Sequence, residues 1–315
     1  DGAYARNVTA NQPERPVLAV VGPTGLVGQA VIDVLATRAD AWDDVRLFGS
    51  DRSVGRRMLF GVDELEVEPL DSESFAGVDV AIFATPADVS AKWAPFATAS
   101  DCLVVDTSAA FRDDDDVPLV VPEVNADRAH ERPKGIVALP GPVTWGLIDA
   151  AHVLHQGWEL QHLVVTGLIA AVSKSDAGVA RLREELHTVA AEPMIGQHPG
   201  DVRAAVSDLP VGSPFPAPLA LNVIPWVGQP DEGGFTSAEL SVGAEVRKVL
   251  GLHESVPVVA TLVQVPVVLA HSMALHARCA RPVAIDKVRQ ACVAAPSLVH
   301  LDEQTGEVPT PIDPE

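Results

Sequence analysis

Basic residues are scarce in this chain: 22 Lys and Arg stand against 43 Asp and Glu, a formal net charge of −21. So acidic a balance disfavours nucleic acid and anionic membrane surfaces as partners. Cysteine is thin as well. Cys102, Cys279 and Cys292 share no paired spacing, so neither a disulfide framework nor a zinc site is indicated, and no metal is expected. Long apolar runs are missing too. The most apolar window, Val256 to Leu275, is broken by Pro257, Gln264, Pro266 and His271, so it reads as strands and not as a membrane span. No secretory pattern opens the sequence, which points to the cytoplasm. Residues 1–15 are polar and aperiodic and read as a loose leader.

Core-forming material is plentiful. At 315 residues, with 47% hydrophobic content and a mean hydropathy of +0.19, the chain has room for two domains and is not disordered. The most telling stretch is Val17 to Gly28. Five apolar residues (Val17–Val21) form a strand covered on both faces, three glycines follow at three-residue spacing (Gly22, Gly25, Gly28), and Gln29 to Thr37 has helical periodicity. Strand, glycine turn and helix start together make a phosphate cradle, in which backbone N–H groups and the helix dipole face a pyrophosphate. A tight strand-to-helix turn needing positive φ would use the same glycines.

Further strands are expected at Val45–Phe48, Val78–Ala84 and Cys102–Asp106, with a hairpin over Met58–Val67 and a helix over Val89–Ala99 that turns Trp93 and Phe96 inward. Strand and helix alternate up to residue 106, which argues for a parallel α/β sheet. The second strand ends in Asp51-Arg52-Ser53. An acid there suits the 2′-OH of NAD and an arginine the 2′-phosphate of NADP, so the local signal is divided.

Past residue 135 the character changes. Helices are expected at Val143–His155, Gly178–Ala191 and Ser237–Leu250. Strands are expected at Leu160–Ser173, Leu219–Ile224, Val256–Val268 and Ser272–Ala277, and a Pro/Gly-rich surface loop at Pro193–Pro218. Long strands with few helices between them suggest an α+β unit with a mostly antiparallel sheet. Arg112 follows a strand and a Thr107-Ser108 turn. It is placed either to hold a phosphate or carboxylate, or to pair with the neighbouring aspartates. Asp113 to Asp116 reads as a solvated acidic turn. His152 and His155, three apart with no third ligand, read as a helix face.

Several runs resemble the aspartate-semialdehyde dehydrogenase family. Gly22-Pro23-Thr24-Gly25-Leu26-Val27-Gly28 is similar to its GATGAVG turn, and Ser50 to Gly55 to its S-x-R-S-x-G cofactor loop. Asp106 to Arg112 resembles DNSSAFR, Val117 to Asn125 is VPLVVPEVN, Leu221 to Pro225 resembles FNVIP, and Val265 to Ser272 resembles VPVFxGHS. The resemblance implies a Rossmann-like NAD(P)-binding domain (16–134) and a dimerisation and substrate domain (135–315). It also implies NADPH-dependent reduction of an aspartyl β-phosphate through a cysteine thioester. Gly22, Thr24, Gly25, Leu26, Val27, Arg52 and Ser53 fall on cofactor positions, which favours NADP over NAD. His271 falls on the acid/base histidine, and Arg112 and Glu239 on substrate-binding positions.

The family's closing D-N-L-R-K-G-A-A run has no counterpart in this chain. The departures lie at the centre of the chemistry. Where the family reads N-C-S/T, this chain reads Gly141-Pro142-Val143, so Pro142 occupies the nucleophile position. Proline suits a first helical turn and glycine can cap it, so the helix start is kept while the thiol is lost. The family's substrate arginine, seven residues before the histidine, is Gln264; its phosphate-binding lysine is Ser241, and its substrate glutamine is Ala170. A small glycine of the family corresponds to Lys174. This pattern resembles the cysteine-lacking Usg-type branch. The expectation is a dimeric NADP-binding relative with a small-molecule ligand, a hetero-partner left open, and no standard dehydrogenase activity. The alternatives are a reductase of another small carbonyl compound using His271 without a thioester, an active dehydrogenase, and, more weakly, Thr144 or Ser173 as replacement nucleophile.

Overall fold

The computed structural model describes residues 15–192, 194–231, 233–299 and 310–311, so residues 1–14 of the expected leader lie outside the described residues. The described residues divide into two compact units, those up to 111 with 133–137, and 112–132 with those from 138 onward.

The first unit contains β1 (Val17–Val21), α1 (Leu26–Ala36), β2 (Asp44–Gly49), β3 (Arg57–Phe60), β4 (Asp63–Pro69), β5 (Val80–Phe83), α2 (Ala87–Ala99) and β6 (Leu103–Asp106); β7 (Ile136–Ala138) completes its sheet. The strand order is β3-β4-β2-β1-β5-β6-β7. The pairings β1–β2, β1–β5, β2–β4 and β5–β6 are parallel, and β3 and β4 form the expected antiparallel hairpin. Because both faces are covered, Leu18, Ala19 and Val20 are fully buried, as their unbroken apolar run requires. The order reverses at β1, with β2 on one side and β5 on the other. In such sheets a ligand crevice opens at the carboxyl ends of the strands at that reversal, where the glycine turn lies.

Helix α2 corrects one expectation. Its buried stripe is Ser90, Ala94 and Ala97, while Trp93 is half-buried and Phe96 is exposed. Small residues let the helix come close to the sheet, and the two rings meet each other at a tilt of 48°, with centroids 5.4 Å apart.

The second unit contains α3 (Pro122–Asn125), α4 (Pro142–Trp158), β8 (Leu160–Ile169), α5 (Ser175–Ala190), α6 (Asp201–Ala205), α7 (Ser237–Leu250), β9 (Val258–Gln264), β10 (Ser272–Cys279) and α8 (Ile285–Ala294). Its sheet has the order β10-β8-β9. β10–β8 is antiparallel, β8–β9 is parallel, and Ile224 adds an antiparallel bridge to Gln264, so two of the three pairings run antiparallel. Helix α4 packs on β8 and β10 through Leu147, Ile148 and Ala151, and α7 packs on β9 through Val242, Val246 and Val249.

Three expectations fail here. The strand expected to run to Ser173 ends at Ile169, after which Ala171–Lys174 forms a short 3-10 turn. Leu219–Ile224 is not a strand. The N–H groups of Leu219 and Ala220 donate to the carboxylate of Glu185 at 2.7 and 3.0 Å, and Leu221 turns through the left-handed region at φ 53°. The stretch expected as a surface loop contains α6 and buries Val206 and Phe215, which pack against α5 and its neighbours; Pro193 lies outside the described residues.

Candidate functional site

The glycine turn of the first unit divides its labour. Gly22 sits at φ +84°, and a Cβ there would lie 2.5 Å from the carbonyl oxygen of Ala84. A Cβ on Gly28 would lie 2.1 Å from the carbonyl oxygen of Gly22, so this glycine lets α1 close onto the turn. Both are explained by the fold alone. Gly25 is not. It caps α1 in extended conformation (φ −79°), and its nearest neighbour to an added Cβ is 3.8 Å away. Its missing side chain therefore leaves open space at a helix N-terminus that has no side-chain cap and no acid in its first turn. That is a cradle a phosphate group fits. Leu26 and Val27, the first helical residues, are exposed. The hydroxyls of Thr24 and Ser53 lie 3.1 Å apart and join this turn to the loop after β2, where Arg52 is exposed.

In the second unit, α4 begins as expected, with Gly141 as cap and Pro142 at its first position, exposed. The peptide before it is tightly held. Arg112 Nε donates to the carbonyl of Leu139 at 2.9 Å, Arg112 Nη1 donates to Glu245 Oε1 at 3.3 Å, and Gly141 N–H donates to Glu245 Oε2 at 2.8 Å. Glu245 is buried, and Arg112 nearly so. Lys248, one turn further along α7, donates to the carbonyls of Arg112 and Asp114 and so anchors the acidic turn. Burial lowers the pKa of Lys248, against the pull of Asp115, Asp113 and Asp114.

His271 stands at the end of the loop after β9, following Ala270 at φ +62°. Its Nδ1 accepts the N–H of Ala170 at 3.2 Å. A nitrogen that accepts carries no proton, so the neutral ring has its hydrogen on Nε2. Burial lowers its pKa, which keeps the ring neutral at pH 7. Gln264 is fully buried beside it. Its Nε2 donates to the carbonyls of Ile169 and Ala170 at 2.7 and 2.8 Å, and its Oε1 accepts from Ser173 at 3.3 Å.

Comparison with known proteins agrees with this layout. Residues 17–132 match the family model described as semialdehyde dehydrogenase, NAD binding domain, and residues 153–314 match semialdehyde dehydrogenase, dimerisation domain. The aspartate-semialdehyde dehydrogenase of Corynebacterium glutamicum is 35% identical over 300 residues, covering 94% of this chain and 84% of that protein. The chain belongs to the aspartate-semialdehyde dehydrogenase family. The enzyme of Mycolicibacterium smegmatis is 33% identical over 302 residues, with the same coverage of 94% and 84%. Among solved structures, aspartate semialdehyde dehydrogenase II of Vibrio cholerae, complexed with ASA, superposes with a TM-score of 0.79 at 27% identity, covering 90% of this chain and 80% of that one.

Within this family fold, Glu239 works as scaffold. Its Oε2 accepts the N–H of Thr236 in a reciprocal cap of α7, and its Oε1 accepts the N–H of Leu262 in β9. Of the thiols, Cys102 is buried, and burial with Asp79 nearby pushes its pKa up to about 12; burial also raises Cys279. Thr144 is fully buried, and its hydroxyl has no hydrogen-bond partner among the described residues. Ser173 gives its proton to an amide oxygen, which is no base. His152 lines a cleft of about 270 Å³ with Asn125, Arg128 and Lys248. Among the described residues no group of His, Cys, Asp and Glu forms a metal site, and no helix is long and apolar enough to cross a membrane.

Sequence reasoning missed Glu245, Glu185 and the bracing role of Gln264. Each carried a signal: Glu245 interrupts the apolar stripe Val242, Val246, Val249, Glu185 lies in the stripe Leu182, Val189, and Gln264 continues the inward alternation Val258, Ala260, Leu262. A polar residue in a core register needs partners.

Proposed function

We propose that this family member binds NADP(H) in the cytoplasm as a homodimer and does not reduce aspartyl phosphate through a thioester, as the Usg-type pattern implies. One observation carries the reading: the first residue of α4, where the resemblance places the nucleophile, is Pro142. The helix that would favour a thiolate is intact, but the side chain at its end has nothing to attack with. The substitutes named from sequence do not serve. Thr144 is shut away and Ser173 lacks a base. The Cys102 thiol, which the sequence does not offer as a substitute, is held protonated.

Binding of the ordinary substrate is weakened as well. Arg112 and Glu239 keep the family's substrate positions, yet both are engaged by the fold. Ser241, Gln264 and Ala170 replace two cations and an amide. A charge-assisted hydrogen bond to carboxylate or phosphate is worth roughly 1.5–3 kcal/mol, and that much is forgone at each missing cation.

The cradle at Gly25, with Thr24, Leu26, Val27, Arg52 and Ser53, suits a dinucleotide. Arg52 and Ser53 favour the 2′-phosphate of NADP over NAD. The bound cofactor would supply a hydride. A second reading rests on His271, whose Nε2–H is the form that donates to a carbonyl oxygen: a reductase of another small carbonyl compound, with His271 as proton donor and no covalent intermediate. Titration of NADPH into the purified protein separates the possibilities. Micromolar binding supports the cofactor assignment, and no binding at millimolar NADPH removes the reductase. Failure to rescue a strain lacking aspartate-semialdehyde dehydrogenase is expected, and rescue would overturn the inactive reading.

A further inference from the structure

We infer that Gln264 is a positioning residue that acts through the Ala170 peptide to hold His271 as an Nε2–H donor. The inference rests on the reading of His271 as the site's proton-bearing group. The chain of hydrogen bonds is continuous. The Gln264 carboxamide is oriented at its oxygen by Ser173 and spends its N–H groups on the carbonyls of Ile169 and Ala170. With the Ile169 carbonyl tied, the other end of the same peptide group, the Ala170 N–H, is presented to Nδ1 of His271. The two loops are laced in register beside it, since Ala171 N–H donates to Val267 and Val172 N–H to Val268 at 2.8 and 3.1 Å. The left-handed turn at Ala270 then aims the ring back at Ala170.

The geometry also fixes what Gln264 does not do. Its side chain is 1% exposed and each of its polar atoms has a protein partner, so it offers a ligand nothing to bind. At this point the site presents one neutral N–H donor. That suits a carbonyl or hydroxyl oxygen and not a carboxylate, whose recognition calls for a cation.

The test is the tautomer of His271, read by NMR on protein carrying ¹⁵N-labelled histidine, without added cofactor, at a pH where the ring is neutral. His271→Asn identifies the signal. Wild type is expected to be a single Nε2–H form. Gln264→Met keeps length and fills the core without donors, and the ratio of Nε2–H to Nδ1–H is expected to fall about tenfold, the equivalent of one hydrogen bond. An unchanged ratio in a folded Gln264→Met protein, or an Nδ1–H wild type, overturns the inference. Should Gln264→Met not fold, Ser173→Ala removes only the donor to Oε1. It is expected to lower the ratio measurably, and no change there overturns the inference equally. Because cofactor is absent, failed NADPH binding would sink the reductase and leave this assignment standing. An Nε2–H wild type whose ratio does not respond to Gln264→Met does the reverse, sinking this assignment and leaving the reductase its donor.

Discussion

Gly25 in the first unit and Glu245 in the second stand near the starts of α1 and α4, and their surroundings are opposites. An added Cβ on Gly25 would meet nothing nearer than 3.8 Å, whereas both oxygens of Glu245 are taken by Arg112 and Gly141. The same contrast separates Arg52, exposed beside the glycine turn, from Gln264 and Glu239, whose polar atoms are spent within the protein. Gly25 and Arg52 of the first unit stay open to a ligand, while Glu245, Gln264 and Glu239 of the second hold the fold together.

Removing the carboxylate at Glu245 is the harshest way to probe that contrast. Glu245→Ala takes one partner from Arg112 and the acceptor from the Gly141 N–H in a buried setting, and should cost roughly 3–5 kcal/mol in urea unfolding. A loss below about 1 kcal/mol would show that the clamp before α4 is dispensable. Gly28→Ala comes next, at roughly 3 kcal/mol, because its Cβ would collide with the Gly22 carbonyl. Glu239→Ala should cost about 1–2 kcal/mol through the α7 cap and the tie to Leu262. Gly25→Ala sharpens the comparison from the other side. Stability should stay within about 1 kcal/mol, while NADPH binding weakens at least tenfold; equal loss of both would make Gly25 a scaffold glycine like its neighbours.

Titration gives a gentler test. His271 and His152 both have pKa values lowered, chiefly by burial. The unfolded chain takes up protons near the ordinary value of 6.5, while the folded chain resists until lower pH. By linkage the stability they contribute is complete above 6.5 and is lost as pH falls below it. Cys102 acts at the other end. Its unfolded thiol ionises near 9.0 but its folded thiol only near 12, so stability falls as pH rises past 9. Cys102→Ala should flatten that alkaline limb, as followed by thermal unfolding.

The sequence reveals the first unit far more completely than the second, and the reason is range. β1, the glycine turn and α1 are local: period, punctuation and cap lie within a dozen residues, and the strand alternation that follows repeats the signal. The second unit is decided by pairs distant in sequence. Arg112 is visible as a candidate, but the 133 positions separating it from Glu245 hide the partner. Leu219–Ile224 is apolar enough to read as a strand, yet Glu185 on another element takes the N–H groups of Leu219 and Ala220. Hydrophobicity alone turns Phe96 inward, while the close fit of α2 to its sheet selects Ala94 and Ala97. Pro142 needs no tertiary information, since its effect is an absent atom.

That absence is also the most direct point of attack. The protein is incubated with aspartate semialdehyde and oxidised NADP, with phosphate left out because it would discharge a thioester, then quenched in acid, and its intact mass and thiol-containing peptides are measured. An unmodified chain is predicted, with Cys102, Cys279 and Cys292 all free. A thioacyl adduct on any of the three would contradict the claim that this fold has given up covalent capture of its substrate.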